Sequence, residues 1–259
     1  MKKIVMPVLI AALFGLGLCT TSKLVLAGEN KQASATDIKS LEVQVDELIA
    51  KYPAFQIGIK DDAGFRKNWL TRLQLIAIIK PNTAKTGNFV LSIGSEMLLD
   101  KIDPYLSRTD DDTAVAFLQM LVKIFSEGAK DELVCRTFLS SSDNAIVSDA
   151  DNERIENLFG PGFYEDMIVV IGNMMRTGKE APPKMLSKSE SDRVAMEMFG
   201  MMMETYGEDS VSKMQVLEDK KAPPMQKCNT MLQMLSSMAK LEKKDQAGLF
   251  RTLLGSEDK

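Results

Sequence analysis

The chain has 259 residues, 45% hydrophobic and 26% charged, with 32 basic against 36 acidic side chains and a net charge of −4. That balance is the one of an ordinary globular protein rather than a disordered chain, and the length suits one large domain or two small ones. Histidine is absent, which excludes Ser-His-Asp and Cys-His catalysis and every zinc site built with imidazole.

The chain begins with Lys2 and Lys3, then an apolar run from Ile4 to Leu18, then Val25-Leu26-Ala27. A positive start, a short apolar stretch and small residues at the cleavage positions predict a signal peptide over residues 1–27, removed before Gly28. A bacterial exported protein, periplasmic or secreted, is the expectation. The alternative is a lipoprotein anchored through Cys19, which closes the apolar run but follows Leu18 where a smaller residue is expected. The run is too short for a membrane-spanning anchor, and nothing after Gly28 is apolar for long enough to cross a bilayer. Cleavage removes Lys2, Lys3 and Lys23 and no acid, leaving 29 basic against 36 acidic residues and a charge of −7. An acidic chain argues against nucleic acid and anionic membrane surfaces as partners.

Residues 28–259 are then expected to form a single all-helical domain, with a polar N-terminal tail over about 28–35 and a frayed C-terminal tail over about 255–259. Ser34 with Asp37 fits a capping pattern, and Ile38, Leu41, Val45, Leu48 and Ile49 line one face of the helix that follows. Pro53, Asp62-Ala63-Gly64 and Pro81-Asn82 mark breaks. Asn88 to Gly94, NFVLSIG, reads equally as strand or helix. Thr109-Asp110-Asp111-Asp112 places acids at the start of a helix whose apolar face is Phe117, Met120, Leu121, Ile124 and Phe125. Ser148 with Asp151 predicts another cap. The surrounding Asp149–Glu153 stretch lacks the glycine and the terminal glutamate of a calcium-binding loop, so a helix start is the better reading.

After Gly160-Pro161-Gly162, the residues Phe163, Met167, Val170, Ile171 and Met174 form a further stripe. Lys179-Glu180-Ala181-Pro182-Pro183 is echoed by Lys220-Lys221-Ala222-Pro223-Pro224, and both read as independent Pro-Pro starts of methionine-rich helices. Ser189 with Asp192 predicts the cap of the first of these, and Cys228, Met231, Leu232, Leu235 and Met238 form the face of the second. Nothing alternates strands with helices as a parallel α/β fold requires. The expectation is an all-α, compact multi-helix fold of roughly nine or ten helices, arranged largely as helical hairpins.

Cys135 and Cys228 remain after cleavage, each on an apolar helix face, in a compartment where disulfides persist. One disulfide joining them is expected; closing so long a loop is worth about 4.6 kcal/mol by chain entropy.

Candidate chemistry is sparse. Ser237-Met238-Ala239-Lys240, Ser142-Asp143-Asn144 and Lys85-Thr86-Gly87 spell the three short motifs of serine β-lactamases and penicillin-binding proteins, but in reverse order along the chain, and no roles are carried over. Glu190, flanked by Ser189 and Ser191, is the first carboxylate to examine for a glycosidase; a solvated helix start is the plainer reading. Methionine is the anomaly: eighteen occur, sixteen after cleavage. Most are expected to fill the core. Met198, Met201, Met202, Met231, Met234 and Met238 are the candidate partner or ligand surface, an adaptable apolar groove. Met198, Met201 and Met202 at i, i+3 and i+4 are also weak candidates for Cu(I), which thioethers suit. No cofactor is expected. The leading expectation is a non-catalytic protein that binds another envelope or secreted protein. A carrier of a small apolar ligand or Cu(I) comes second, and a carboxylate-based cell-wall hydrolase third.

Overall fold

The computed structural model describes residues 35–79, 87–99, 101–139, 154, 157–160, 162–219 and 221–254. The signal peptide and Cys19, the Ser34 and Ser148 caps, the calcium-like stretch, Ser142–Asn144, Lys85-Thr86 and the tail over 255–259 all lie outside these residues. Among the described residues the fold is all-α, with eleven α-helices and one 3-10 segment and no strand. None of the helices is long and apolar enough to cross a membrane.

Four helices form the N-terminal group: α1 (Ala35–Lys51), α2 (Pro53–Asp61), α3 (Phe65–Ile79) and α4 (Gly87–Leu99). Tyr52 alone separates α1 from α2. Its N–H closes the last turn of α1 on the Leu48 carbonyl at 2.9 Å, and Pro53, which has no N–H to continue the ladder, opens α2. Phe55, Phe65 and Trp69 are fully buried, with the Phe55 and Trp69 rings 4.5 Å apart.

The Asn88–Gly94 stretch is helix, part of α4. Val90, Leu91, Ile93, Met97, Leu98 and Leu99 are all buried, so α4 is enclosed on most sides and its residues lose the one-sided stripe that marks a surface helix. Buried Ser95 turns its hydroxyl back onto the Leu91 carbonyl at 2.7 Å, satisfying itself within the helix. Trp69 lies against Gly94: a Cβ there would sit 2.7 Å from Trp69 Cε2. The indole N–H donates to the Val90 carbonyl at 3.1 Å.

The C-terminal group is built around α6 (Asp111–Gly128), on which α7 (Glu132–Leu139), α10 (Pro224–Met238) and α11 (Lys243–Leu254) all pack. The Asp110 carboxylate accepts from the Thr113 N–H at 2.7 Å and caps α6, with Asp111 and Asp112 in its first turn as the sequence indicated. A disulfide joins Cys135 on α7 to Cys228 on α10 across 93 residues, with Cα atoms 5.9 Å apart and both residues fully buried. Arg251 on α11 is buried and donates to the Lys184 and Thr109 carbonyls at 3.0 Å each, while also pairing with Asp111 at 2.8 Å.

Helix α8 (Phe163–Gly178) bridges the two groups, packing on α2 and α4 on one side and on α6 on the other. The four-residue α5 (Asp103–Leu106) sits against its C-terminal end. Helix α9 (Lys188–Tyr206) covers α10 and α11 from outside, and a 3-10 segment (Ser212–Leu217) leads from it back to α10. The two Pro-Pro pairs differ. Pro223 and Pro224 start α10 as expected, whereas Pro182 and Pro183 lie in an irregular segment, five residues short of Lys188, where α9 begins. The cap of α9 is also two residues earlier than expected. Ser187 and Glu190 exchange a full capping box, in place of the Ser189–Asp192 pair.

Candidate functional site

The methionines sort by the face of the helix that carries them. On α9, Met198 and Met202 point inward and are buried, and on α10 Met231, Met234 and Met238 are buried with them. Met201 is half-buried. The six residues expected to form a partner or ligand surface are therefore mainly core, because the i, i+4 stripe of α9 is the face by which it rests on α10. The Cu(I) set is split in the same way: Met198 and Met202 are enclosed and Met201 lies at the edge. Among the described residues no group of three or more histidine, cysteine, aspartate or glutamate residues is placed to hold a metal ion.

The opposite face of α9 carries the exposed thioethers. Met196 is 71% exposed and Met203 41% exposed, seven residues apart on one stripe. Gly200 lies between them, and a Cβ added there would meet no atom within 4 Å. Half-buried Phe199 borders the stripe on one side, and exposed Glu197 and Glu204 border the other. The remaining exposed large apolar side chains are distributed elsewhere: Val43 on α1, Leu75 and Ile78 at the end of α3, Leu158, and Val169 on α8. Met196 and Met203 were open to discovery from the sequence, since a helical wheel drawn over 188–206 puts them opposite Met198 and Met202.

A second feature is polar. A recess of about 370 Å³ is lined by Asp61, Lys101, Asp103, Pro104, Tyr105 and Met175. It lies where the end of α2, the α4–α5 turn and the end of α8 meet. Gly178 makes the approach possible, since a Cβ there would be 2.8 Å from the Tyr105 carbonyl oxygen. The Tyr105 hydroxyl donates to Asp61 Oδ2, and Lys179 Nζ donates to Asp61 Oδ1 at 2.9 Å. Beside them Lys101 donates to Asp62 Oδ2 at 2.7 Å, and the Gly64 N–H donates to Asp62 Oδ1 at 2.8 Å.

Tyr105, Asp61 and Asp62 are each shifted from their ordinary titration range. Burial, with the Asp61 carboxylate as hydrogen-bond partner, pushes the Tyr105 hydroxyl up to about 12. The Tyr105 hydroxyl and then Lys179 hold Asp61 below the usual carboxylate range. Lys101, followed by the Gly64 N–H, does the same for Asp62. A tyrosine kept protonated and carboxylates kept ionised are far from the near-neutral pKa that proton transfer needs. The cluster is a set of ties between helices, and sequence reasoning missed it because Asp61, Tyr105 and Lys179 lie 44 and 118 positions apart in their bonded pairs.

Glu190 behaves as a cap. The Ser187 hydroxyl and backbone N–H both donate to it, at 2.6 and 3.1 Å, and hold its carboxyl below the ordinary range. Ser237 is fully buried on α10, and Lys240 instead donates to Thr205 at 3.0 Å. Comparison of the chain with protein-family models, with curated proteins and with solved structures finds no match.

Proposed function

We propose that this is an exported, non-catalytic helical protein of the bacterial envelope that binds another protein through the outer face of α9. The observation that carries the reading is the Met196–Gly200–Met203 stripe, two exposed thioethers flanking an open notch on a helix whose other face is core. A flexible, polarizable side chain adapts to a partner's relief, and an exposed apolar stripe bordered by carboxylates has the composition of a recognition surface. The depressed carboxylates at Asp61, Asp62 and Glu190 lend support, because an acid for glycoside cleavage requires the opposite shift. The export part of the reading rests on the residues at 1–27.

A benzophenone amino acid at Gly200, where the open space tolerates a side chain, tests the contact in living cells. The expected result is a discrete adduct of this chain with one other protein, lost on Met196→Asp with Met203→Asp and absent when the probe replaces Lys67 on α3. Adduct formation at Gly200 no greater than at Lys67, or indifferent to the aspartates, overturns the reading. The mass of the purified chain checks export: a start at Gly28 is expected, and an uncleaved or Cys19-lipidated start contradicts simple cleavage.

A further inference from the structure

The fold places four of the five methionines of α9 at two extremes of access, with half-buried Met201 between them. Met198 and Met202 are sealed in the core, whereas Met196 and Met203 project from the same helix into open surroundings. They share a helix, a chain segment and a local composition, so what distinguishes them is access. Ten methionines are buried across the described residues, among them Met174, Met175, Met231 and Met234. Burial shields a thioether from polar oxidants, which must reach the sulfur lone pair directly.

We infer that Met196 and Met203 form a methionine-sulfoxide site, modified by two-electron oxygen donors of the peroxide or hypochlorous acid class. With hydrogen peroxide, the sulfur lone pair attacks one peroxide oxygen and the O–O bond breaks. The sulfur is oxidised by two electrons as it gains oxygen, and the departing hydroxide takes up a proton to leave as water. The product is polar where the thioether was apolar. Two sulfoxides, placed on either side of the Gly200 notch, convert the apolar stripe of α9 into a polar one. The core is untouched, so the fold survives the change. This gives the α9 face a chemical off-state, an extension that rests on the partner-binding reading; the modification site itself does not.

Peptide mass mapping of the purified chain after graded hydrogen peroxide is the test. In the folded protein, Met196 is expected to take up one oxygen about tenfold faster than Met198 or Met202, with Met203 following Met196. In guanidinium the rates of all four converge within about twofold, since access is then equal. Equal rates in the folded chain, or a difference that persists after unfolding, overturns the inference. For the off-state, the Gly200 adduct is measured after peroxide in the natural chain and in the Met196→Leu, Met203→Leu variant. Loss in the first and retention in the second is expected. An adduct that survives peroxide in both overturns the off-state while leaving partner binding intact; no adduct before peroxide removes partner binding while the peptide map still decides the modification site.

Discussion

The two helical groups flanking α8 are filled with different materials. The N-terminal core holds an aromatic cluster: Phe55, Phe65 and Trp69 meet in tilted and edge-on contacts with centroids 4.5 to 6.4 Å apart, and the indole is pinned by its bond to the Val90 carbonyl. The C-terminal core is richer in thioethers, with Met198, Met202, Met214, Met231, Met234 and Met238 buried around α9, α10 and the 3-10 segment, beside the Phe117–Phe250 ring pair and the leucines of α6 and α11. Rings are stiff and demand a cavity cut to shape, so the backbone has yielded to them at Gly94. Thioether chains adapt to whatever space is left, and they specify a position only loosely. A covalent tie from α7 to α10 supplies the constraint that the methionines do not. An aromatic cluster cut to shape defines the first half, and the second adds a crosslink to a packing richer in methionine.

The sharpest way to break the contrast is Trp69→Ala, which empties the aromatic core and is expected to cost about 3–5 kcal/mol, measured by chemical denaturation. Replacing both cysteines with alanine comes next, at about 2–5 kcal/mol. Hydrogen exchange should place the loss in α7 and α10 and leave α3 and α4 protected. Equal deprotection of both halves would mean that the crosslink holds the whole molecule. Met234→Leu conserves volume in a forgiving core and is expected to cost under about 1.5 kcal/mol. Gly94→Ala, which adds a methyl group against the Trp69 ring in the aromatic half, is expected to cost about 1–3 kcal/mol. A Met234 variant as damaging as the Gly94 one would erase the distinction between the two cores.

The smallest expected effect is on acidification. Asp46, Asp61, Asp62 and Glu165 have depressed folded pKa values, caused chiefly by Arg66, Tyr105, Lys101 and Lys51 respectively. A depressed carboxylate contributes stability that is present above its unfolded pKa, near 4, and lost as pH falls through the folded value. All four are partly exposed, so solvent screening keeps each contribution small. They hold α1 to α3, α2 to α8 and α5, α2 to the turn after α4, and α1 to α8, whereas the disulfide does not titrate in this range. Below pH about 4, the fluorescence of Trp69, the chain's single tryptophan, should shift before helical circular dichroism is lost. Simultaneous loss of both signals would show that the N-terminal group has no separate acid sensitivity.

Much of the helical framework was legible in the chain. The stripe through Phe117, Leu121 and Ile124, the acids ahead of α6, the break at Pro53 and the pairing of Cys135 with Cys228 all follow from short-range chemistry or from there being only two cysteines beyond residue 27. Errors arose where two local solutions compete. Ser187 and Ser189 both precede an acid by three residues, and the chain chooses Ser187 because Glu190 can return a bond to its N–H.

The sequence alone established that the chain is helical and where several helices start or break, as at Pro53, Asp110 and Pro224, because periodicity, capping and proline act within a few residues. Only the tertiary structure decided that Asn88–Gly94 is helix, since a segment buried on nearly every side carries no periodic signature. It alone decided that Met198 and Met202 face the core while Met196 and Met203 face outward, and that Asp61 meets Tyr105 and Lys179. Those outcomes depend on which helix lies against which, and packing between distant segments is set by the whole collapsed chain rather than by any stretch of it.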